Sequence, residues 1–181
     1  MTLAEMYKKV FSMIEEYDEN ADYNSSDEDF ATKVNDVINQ ISAELCRIKK
    51  ICRRKSIDVS ENQILDIKDI DKDMYQLNTI KGVYHTIIDD TIIFNEKGTA
   101  NIFYYVYPQK IDEETDEDEY EFELDRDVLE CMAYGVAADI LLSDPSNNYG
   151  LEYKQRYELL KSQIDPRKTF TTMHISGGVD I

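Results

Sequence analysis

The chain has 181 residues, an apolar share of 42% and a formal net charge of -18. This length suits one domain, or one domain with an insertion, and the apolar share is enough for a modest core. Such a charge should keep the protein soluble and away from nucleic acid and anionic membranes. Because the sequence has no run of about 18 apolar residues and no apolar block near its start, we expect neither a membrane span nor a secretion signal.

Two amphipathic helices are predicted at the start of the chain. The first covers residues 2–17, and a turn-forming stretch over 18–26 follows it. Ser26 is the predicted N-cap of the second helix, which we expect to run to about Arg53.

The charge is segregated along the sequence. Six of the nine residues from Arg47 to Lys55 are basic, whereas nine of the twelve from Asp112 to Glu123 are acidic. The basic residues would fall in the last turn of the second helix, where they suit the negative end of the helix dipole. They are equally well explained as a partner-binding surface, and the sequence leaves both interpretations open.

A β-rich stretch lies between the helix pairs. Period-two alternation and β-branched residues predict four or five antiparallel strands, in a sheet or small sandwich. The predicted strands lie at 64–67, 75–80, 84–88, 91–94 and 101–107. Turns are expected at Asp89-Asp90 and at 95–98, where Gly98 is free to take a positive φ. The acidic residues 112–123 should form a solvated loop that becomes strand-like near its end, or else an acidic edge strand.

The stretch from Leu124 to Ile164 predicts a helical hairpin with a short break. A face rich in small residues on the third helix lets another backbone approach closely, and we expect it to form subunit contacts. That face carries Ala133, Ala137 and Ala138 beside Gly135. The fourth helix carries a tyrosine stripe at Tyr149, Tyr153 and Tyr157, which is more typical of core packing than of a stacking platform.

The expected fold class is therefore α+β and mainly helical. It has a four-helix core, a small antiparallel β insert at about 63–124 and an extended C-terminal arm over 165–181. Residues 1–164 would form a single domain. The arm has β-forming residues and no helical period, so it could add a strand to a partner's sheet and bury Phe170, Met173 and Ile175.

Candidate catalytic chemistry is sparse. The two histidines, His85 and His174, have no cysteine or carboxylate neighbours at metal-ligand spacing. Cys46 and Cys52 are six residues apart, which would place them on different sides of a helix, and Cys131 leaves an odd number of thiols. We expect reduced structural thiols, no catalytic or metal site, no cofactor and no enzymatic activity.

The organisation and local residues resemble the head–tail connector (adaptor) proteins of long-tailed double-stranded DNA bacteriophages. Short acidic helices come first, and a basic turn leads into a β insert around Gln-Leu-Asn-Thr-Ile-Lys-Gly-Val at 76–83. The hairpin Ala-Tyr-Gly-Val-Ala-Ala-Asp-Ile-Leu-Leu-Ser-Asp-Pro…Tyr-Lys-Gln-Arg-Tyr completes the likeness. The acidic stretch at 112–123 is unusually long for such proteins.

The resemblance implies a structural virion protein that forms a ring, with twelvefold symmetry expected, at the head–tail interface. Such a ring docks beneath the portal protein and extends the DNA channel toward the tail, while its β insert faces other neck or tail-completion proteins. The C-terminal arm would reach the portal or an adjacent subunit, and assembly would take place in the host cytoplasm. The expected partner-binding residues are Phe170, Met173, Ile175, Arg47, Lys50, Arg53 and Arg54, with no specific DNA binding and no membrane contact.

Two other classes of protein compete with this interpretation. An acidic DNA mimic that inhibits a nucleic-acid-binding partner would use the carboxylate run at 112–123, but would leave the tail and the β insert without a purpose. An enzyme with a carboxylate-bound metal is the other, although Asp116-Glu117-Asp118 lacks the glycine and spaced ligands of a calcium loop.

Overall fold

The computed structural model describes residues 1–14, 28–142 and 149–166, and of residues 28–32 only the backbone. Within this part of the chain, 42% of residues are helical and 27% lie in strands. The elements, in chain order, are α1 Leu3–Met13, α2 Glu28–Leu45, β1 Ile51–Val59, β2 Ile64–Asp66, a short 3₁₀ turn at Ile67–Asp69, β3 Met74–Lys81, β4 His85–Ile88, β5 Thr91–Phe94, β6 Gly98–Val106, α3 Arg126–Leu142 and α4 Tyr149–Gln163.

Helix α1 begins at a capping box. The Thr2 hydroxyl accepts a hydrogen bond from the Glu5 backbone N–H at 3.2 Å, and the Glu5 carboxylate accepts one from the Thr2 N–H at 3.0 Å. Two of the N–H groups that a helix start leaves without partners are thereby satisfied. The helix ends at Met13 with Ile14 as its cap, shorter than the predicted span of 2–17, and the predicted N-cap Ser26 lies outside the described residues.

The prediction that the second helix runs to Arg53 is wrong. Helix α2 ends at Leu45, and after a turn the chain becomes strand β1 at Ile51. Arg and Lys are good helix formers locally, but β1 pairs along its whole length with β6, from Ile51 opposite Val106 to Val59 opposite Gly98. This pairing satisfies the backbone of the basic residues, and it places Cys52 on a strand instead of a helix.

The strands form two antiparallel three-stranded sheets, ordered β1-β6-β3 and β2-β5-β4. All five predicted strands are present within a few residues of their expected positions, and the sixth is β1. The Asp89-Asp90 turn is also present, with Asp89 at a φ of 51°. The positive-φ glycine, however, is Gly82, at 101°, and not Gly98. A Cβ at Gly82 would lie 2.5 Å from the Thr99 carbonyl oxygen, so this turn also requires glycine sterically.

The predicted fold class, mainly helical with a four-helix core, is wrong. Among the described residues, four helices are accompanied by six strands in two sheets. The inward side chains of β6, among them Ile102, Tyr104 and Val106, belong to the same buried cluster as the helical residues Leu3, Ile38 and Met132. The sheet is thus a wall of the core and not an insert attached to it.

The hairpin of α3 and α4 is closed by close packing. Tyr157 is fully buried against Gly135, where a Cβ would lie only 2.9 Å from the tyrosine ring. The small residues Ala133, Ala137 and Ala138 are also fully buried within the chain. The expectation that this face forms subunit contacts is therefore wrong, because the face is already covered by the chain itself.

The tyrosine stripe on α4 is only partly a core feature. Tyr157 is buried, and the half-buried Tyr153 donates a hydrogen bond to the Met13 carbonyl at 3.1 Å. Tyr149, in contrast, is 56% exposed. No helix in the described part of the chain is both long and apolar enough to cross a membrane.

Candidate partner-binding face

Strand β6 separates two environments by the alternation of its side chains. Ala100, Ile102 and Tyr104 point into the core and are almost fully buried. Phe103 and Tyr105 point to the other side of the sheet, as does Tyr107 just beyond the strand, and Tyr105 is buried there with 4% of its surface exposed. This second side carries an aromatic row in which Phe103 and Tyr107 are half-buried.

Cationic side chains lie over these aromatic rings. The Lys50 ammonium is 4.6 Å from the centroid of the Tyr105 ring. Phe103 lies beneath both Arg54, at 5.9 Å, and Lys81, at 5.7 Å. The Arg47 guanidinium is 5.6 Å from the Tyr107 ring centroid. We call the surface formed by these residues the outer face; it comprises Arg47, Lys50, Arg54, Lys81, Phe103, Tyr105 and Tyr107.

Neutral groups hold the cations of the outer face in place. Lys50 donates to the Gln76 amide oxygen at 3.0 Å, and Arg47 donates to the Tyr107 hydroxyl at 2.6 Å. Arg54 donates twice to the amide oxygen of Asn101, at 3.1 and 2.5 Å. Ring contacts and these hydrogen bonds fix the side chains without neutralising their charge.

The outer-face cations make no ion pair with any of the described residues, although the whole chain has 38 acidic ones. Surface ion pairs are weak, so their absence costs the fold little. The described carboxylates therefore do not neutralise the positive charge of the outer face.

Tyr75 packs beside the aromatic row. Tyr75 stacks on Tyr105 at 6.4 Å between centroids and packs against Tyr107 at 4.7 Å. Burial, together with neighbouring titratable groups, raises the pKa of Tyr75 to about 12. Tyr75 therefore stays neutral at physiological pH, beside the outer-face cations.

Three of the predicted partner-binding residues, Arg47, Lys50 and Arg54, come together on the outer face. Arg53 does not join them, because adjacent residues of a strand point to opposite sides. It forms an ion pair with Glu123 at 2.5 Å on the inner side of β1. The predicted anchors Phe170, Met173 and Ile175 lie outside the described residues.

The other basic residues of the same stretch also have partners within the chain. Lys49 pairs with Asp125 at 3.2 Å, and Lys55 donates to the Ile70 carbonyl at 2.6 Å. The sequence pattern did not indicate that Lys81, Phe103 and Tyr105 belong to the face. Alternation along β6 was the available signal, but only the register of β1 and β3 on β6 shows which cations meet these rings.

Residues 112–123 form a loop, as expected, with one strand-like bridge near its end between Glu121 and Thr2. We call these residues the acidic segment. Its backbone is held to the start of α1, since the Leu3 N–H donates to the Tyr120 carbonyl and the Ala4 N–H to the Glu117 carbonyl, both at 3.0 Å. An open, polar depression of about 430 Å³ lies between this segment and Gln109-Lys110.

A second exposed feature lies on the other sheet. The β2-β5-β4 sheet buries Ile92 and Phe94 on one side. Large apolar side chains around the opposite side and the β4 edge are exposed: Ile64 at 66%, Tyr84 at 74%, Ile87 at 46% and Ile88 at 55%. Such exposed apolar side chains on one small sheet form a candidate contact surface.

Metal-binding and thiol chemistry find little support in the described ranges. No group of three or more His, Cys, Asp or Glu side chains there is placed to hold a metal ion. The ring of His85 contacts the Val83 carbonyl at 3.1 Å. Cys46 and Cys131 are buried free thiols whose pKa is raised by burial to about 11, whereas Cys52 is exposed beside the outer face.

Comparison with known proteins adds no assignment, because the sequence matches no family model and none of the curated proteins.

Proposed function

We propose that this protein is a structural subunit that assembles into a ring and acts as a head–tail connector of a long-tailed bacteriophage, without enzymatic activity. The observation that carries the proposal is the outer face. A chain with a net charge of -18 holds a row of cations over aromatic rings and gives them no carboxylate partner among the described residues. Such a surface suits an acidic protein partner, either the portal or a neighbouring subunit.

The position of the charges supports ring formation. The basic outer face and the acidic segment are different surfaces, so a contact between two copies through them is head-to-tail. Head-to-tail contacts generate closed rings when the rotation between subunits closes. In the connectors that the sequence resembles, β-structure faces other neck components, and the exposed apolar side chains of the β2-β5-β4 sheet would serve that contact.

The same charges favour a channel that passes DNA without holding it. Binding to duplex DNA is driven by cations that displace counterions from phosphates. Here the few outer-face cations are set against a large net negative charge, which repels the duplex at longer range. An acidic ring lumen would therefore lower friction for the passing DNA.

Concentration-dependent assembly is the expected result for the purified protein. Individual surface ion pairs contribute about 0–1 kcal/mol each, so isolated contacts should be weak. We expect a monomer in dilute solution, and closed rings either at high concentration or on purified portal. Light scattering over a wide concentration range, followed by electron microscopy of the largest species, measures this. A stable two-fold dimer at all concentrations would contradict the proposal.

Duplex DNA should not bind measurably at physiological salt. The expected result of a gel shift is no complex at moderate ionic strength, for the wild type and for Arg54→Glu alike. A wild-type complex that weakens steeply with salt, and that Arg54→Glu abolishes, would identify the outer face as a nucleic-acid site. The assignment of that face to a protein partner would then be wrong.

A further inference from the structure

We propose that the outer face of each subunit binds the acidic segment of a second copy of this chain. This inference rests on the proposed ring assembly and names the contact that would build it.

The acidic segment is held in a defined shape by its own side chains. The Asp112 carboxylate accepts hydrogen bonds from the Glu114 N–H at 3.1 Å and the Thr115 hydroxyl at 2.8 Å. The Asp116 carboxylate accepts from the N–H groups of Asp118 at 3.0 Å and Glu119 at 3.2 Å. These two turns, together with the attachment to α1, reduce the entropy that docking would otherwise cost.

Four carboxylates of the segment lie at the surface without a cationic partner among the described residues. Glu113, Asp118, Glu119 and Glu121 are all exposed, and none makes an ion pair with the described residues. The outer face carries the opposite charge, and its cations have no carboxylate partner among the described residues. The two surfaces are therefore complementary in charge, and each is held in place before contact.

The two surfaces cannot meet within one chain. The segment ends at Glu123, which pairs with Arg53 on the inner side of β1. Arg54, the next residue, points to the opposite side of the same sheet and lies over Phe103. The sheet thus stands between the acidic segment and the outer face, so a contact between them requires two copies.

The expected strength of the contact suits an assembly that forms only at high protein concentration or on the portal. Several surface pairs of about 0–1 kcal/mol each give a weak contact between two copies. Closing a ring, or aligning subunits on a portal, raises the effective concentration of each further contact. Screening should weaken the contact as salt rises, because the Debye length falls from about 10 Å at 0.1 M to about 3 Å at 1 M.

Cross-linking through a native thiol tests the contact directly. Cys52 is exposed and lies opposite Tyr105 on the outer face, whereas Cys46 and Cys131 are buried. In Asp118→Cys a second accessible thiol stands on the acidic segment. A short bismaleimide should then join Cys52 of one copy to the new thiol of the next, and produce a ladder of dimers, trimers and longer species at low salt. The ladder should fade at 1 M salt.

Two variants serve as controls. Lys97→Cys places the new thiol in the exposed turn between β5 and β6, and should give at most dimers. Asp118→Cys combined with Cys52→Ser should also lose the ladder. If Asp118→Cys gives no longer species than Lys97→Cys while the wild type still forms rings, the outer face has another occupant and the ring proposal survives. If light scattering shows no rings at high concentration or on portal, both proposals fail.

Discussion

Tyr157→Ala should lower the free energy of unfolding by about 3–5 kcal/mol, the range found for removing a large buried aromatic side chain. Tyr157 is a fully buried residue of α4 that packs against Gly135 of α3. The substitution therefore leaves a cavity lined by residues that are already tightly packed. It also removes the hydroxyl that donates to the Glu44 carboxylate at 2.9 Å. Because the chain has no tryptophan, urea denaturation followed by circular dichroism is the appropriate measurement.

Tyr157→Phe separates the contribution of the aromatic ring from that of the hydroxyl group. It keeps the ring and removes only the hydrogen bond to Glu44, which also pairs with Lys161. Burial raises the pKa of Glu44, but the hydrogen bonds from Lys161 and Tyr157 outweigh it, and the pKa lies below its usual value. Since Glu44 stays charged and keeps Lys161, we expect Tyr157→Phe to cost about 1 kcal/mol. A loss equal to that of Tyr157→Ala would show that the ring itself contributes little.

Gly135→Val should destabilise the monomer by about 3 kcal/mol, at the upper end of the range for overpacked cores. The added Cβ would lie 2.9 Å from two atoms of the Tyr157 ring and 3.2 Å from the Ile41 side chain. Both neighbours are buried and have little space to move. This result would be measurable in dilute protein, whereas a role of Gly135 in subunit contacts would appear only in assembly.

Two further variants separate the effect of helix propensity from that of the steric clash between a side chain at position 135 and the Tyr157 ring. Gln155→Val puts the same β-branched residue at an exposed position of α4, where propensity alone should cost less than about 1 kcal/mol. Combining Gly135→Val with Tyr157→Ala removes the ring that the new side chain meets, so the two losses should be clearly less than additive. Full additivity would mean that residues 135 and 157 do not contact each other as described.

Local patterns were sufficient for much of the fold. The alternation at 64–67 and 91–94 and the Asp89-Asp90 turn predicted strands and a reversal that are present. The apolar spacing of the last two helices predicted α3 and α4. A turn or an amphipathic face is determined by residues a few positions apart, so a local sequence pattern is enough to predict it.

Strand β1 was not predictable in this way. Arg53, Arg54 and Lys55 are good helix formers, and their alternation is hidden because both sides of the strand carry positive charge. The chain takes an extended form there because β6 supplies hydrogen bonds along its full length, from residues about 40 to 55 positions away. Intrinsic preference is worth only tenths of a kcal/mol per residue, so such pairing overrides it.

The sequence by itself determined the segregated charge, the five later strands, the two last helices and the basic residues from which part of the outer face is built. Only the tertiary structure decided which of those cations act together. The register of β1 and β3 on β6 brings Arg54 and Lys81 to Phe103 and turns Arg53 away toward Glu123. The tertiary structure likewise turns the small-residue face of α3 inward, against Tyr157. Both outcomes depend on which surfaces meet across long sequence separations, and no local pattern of residues carries that information.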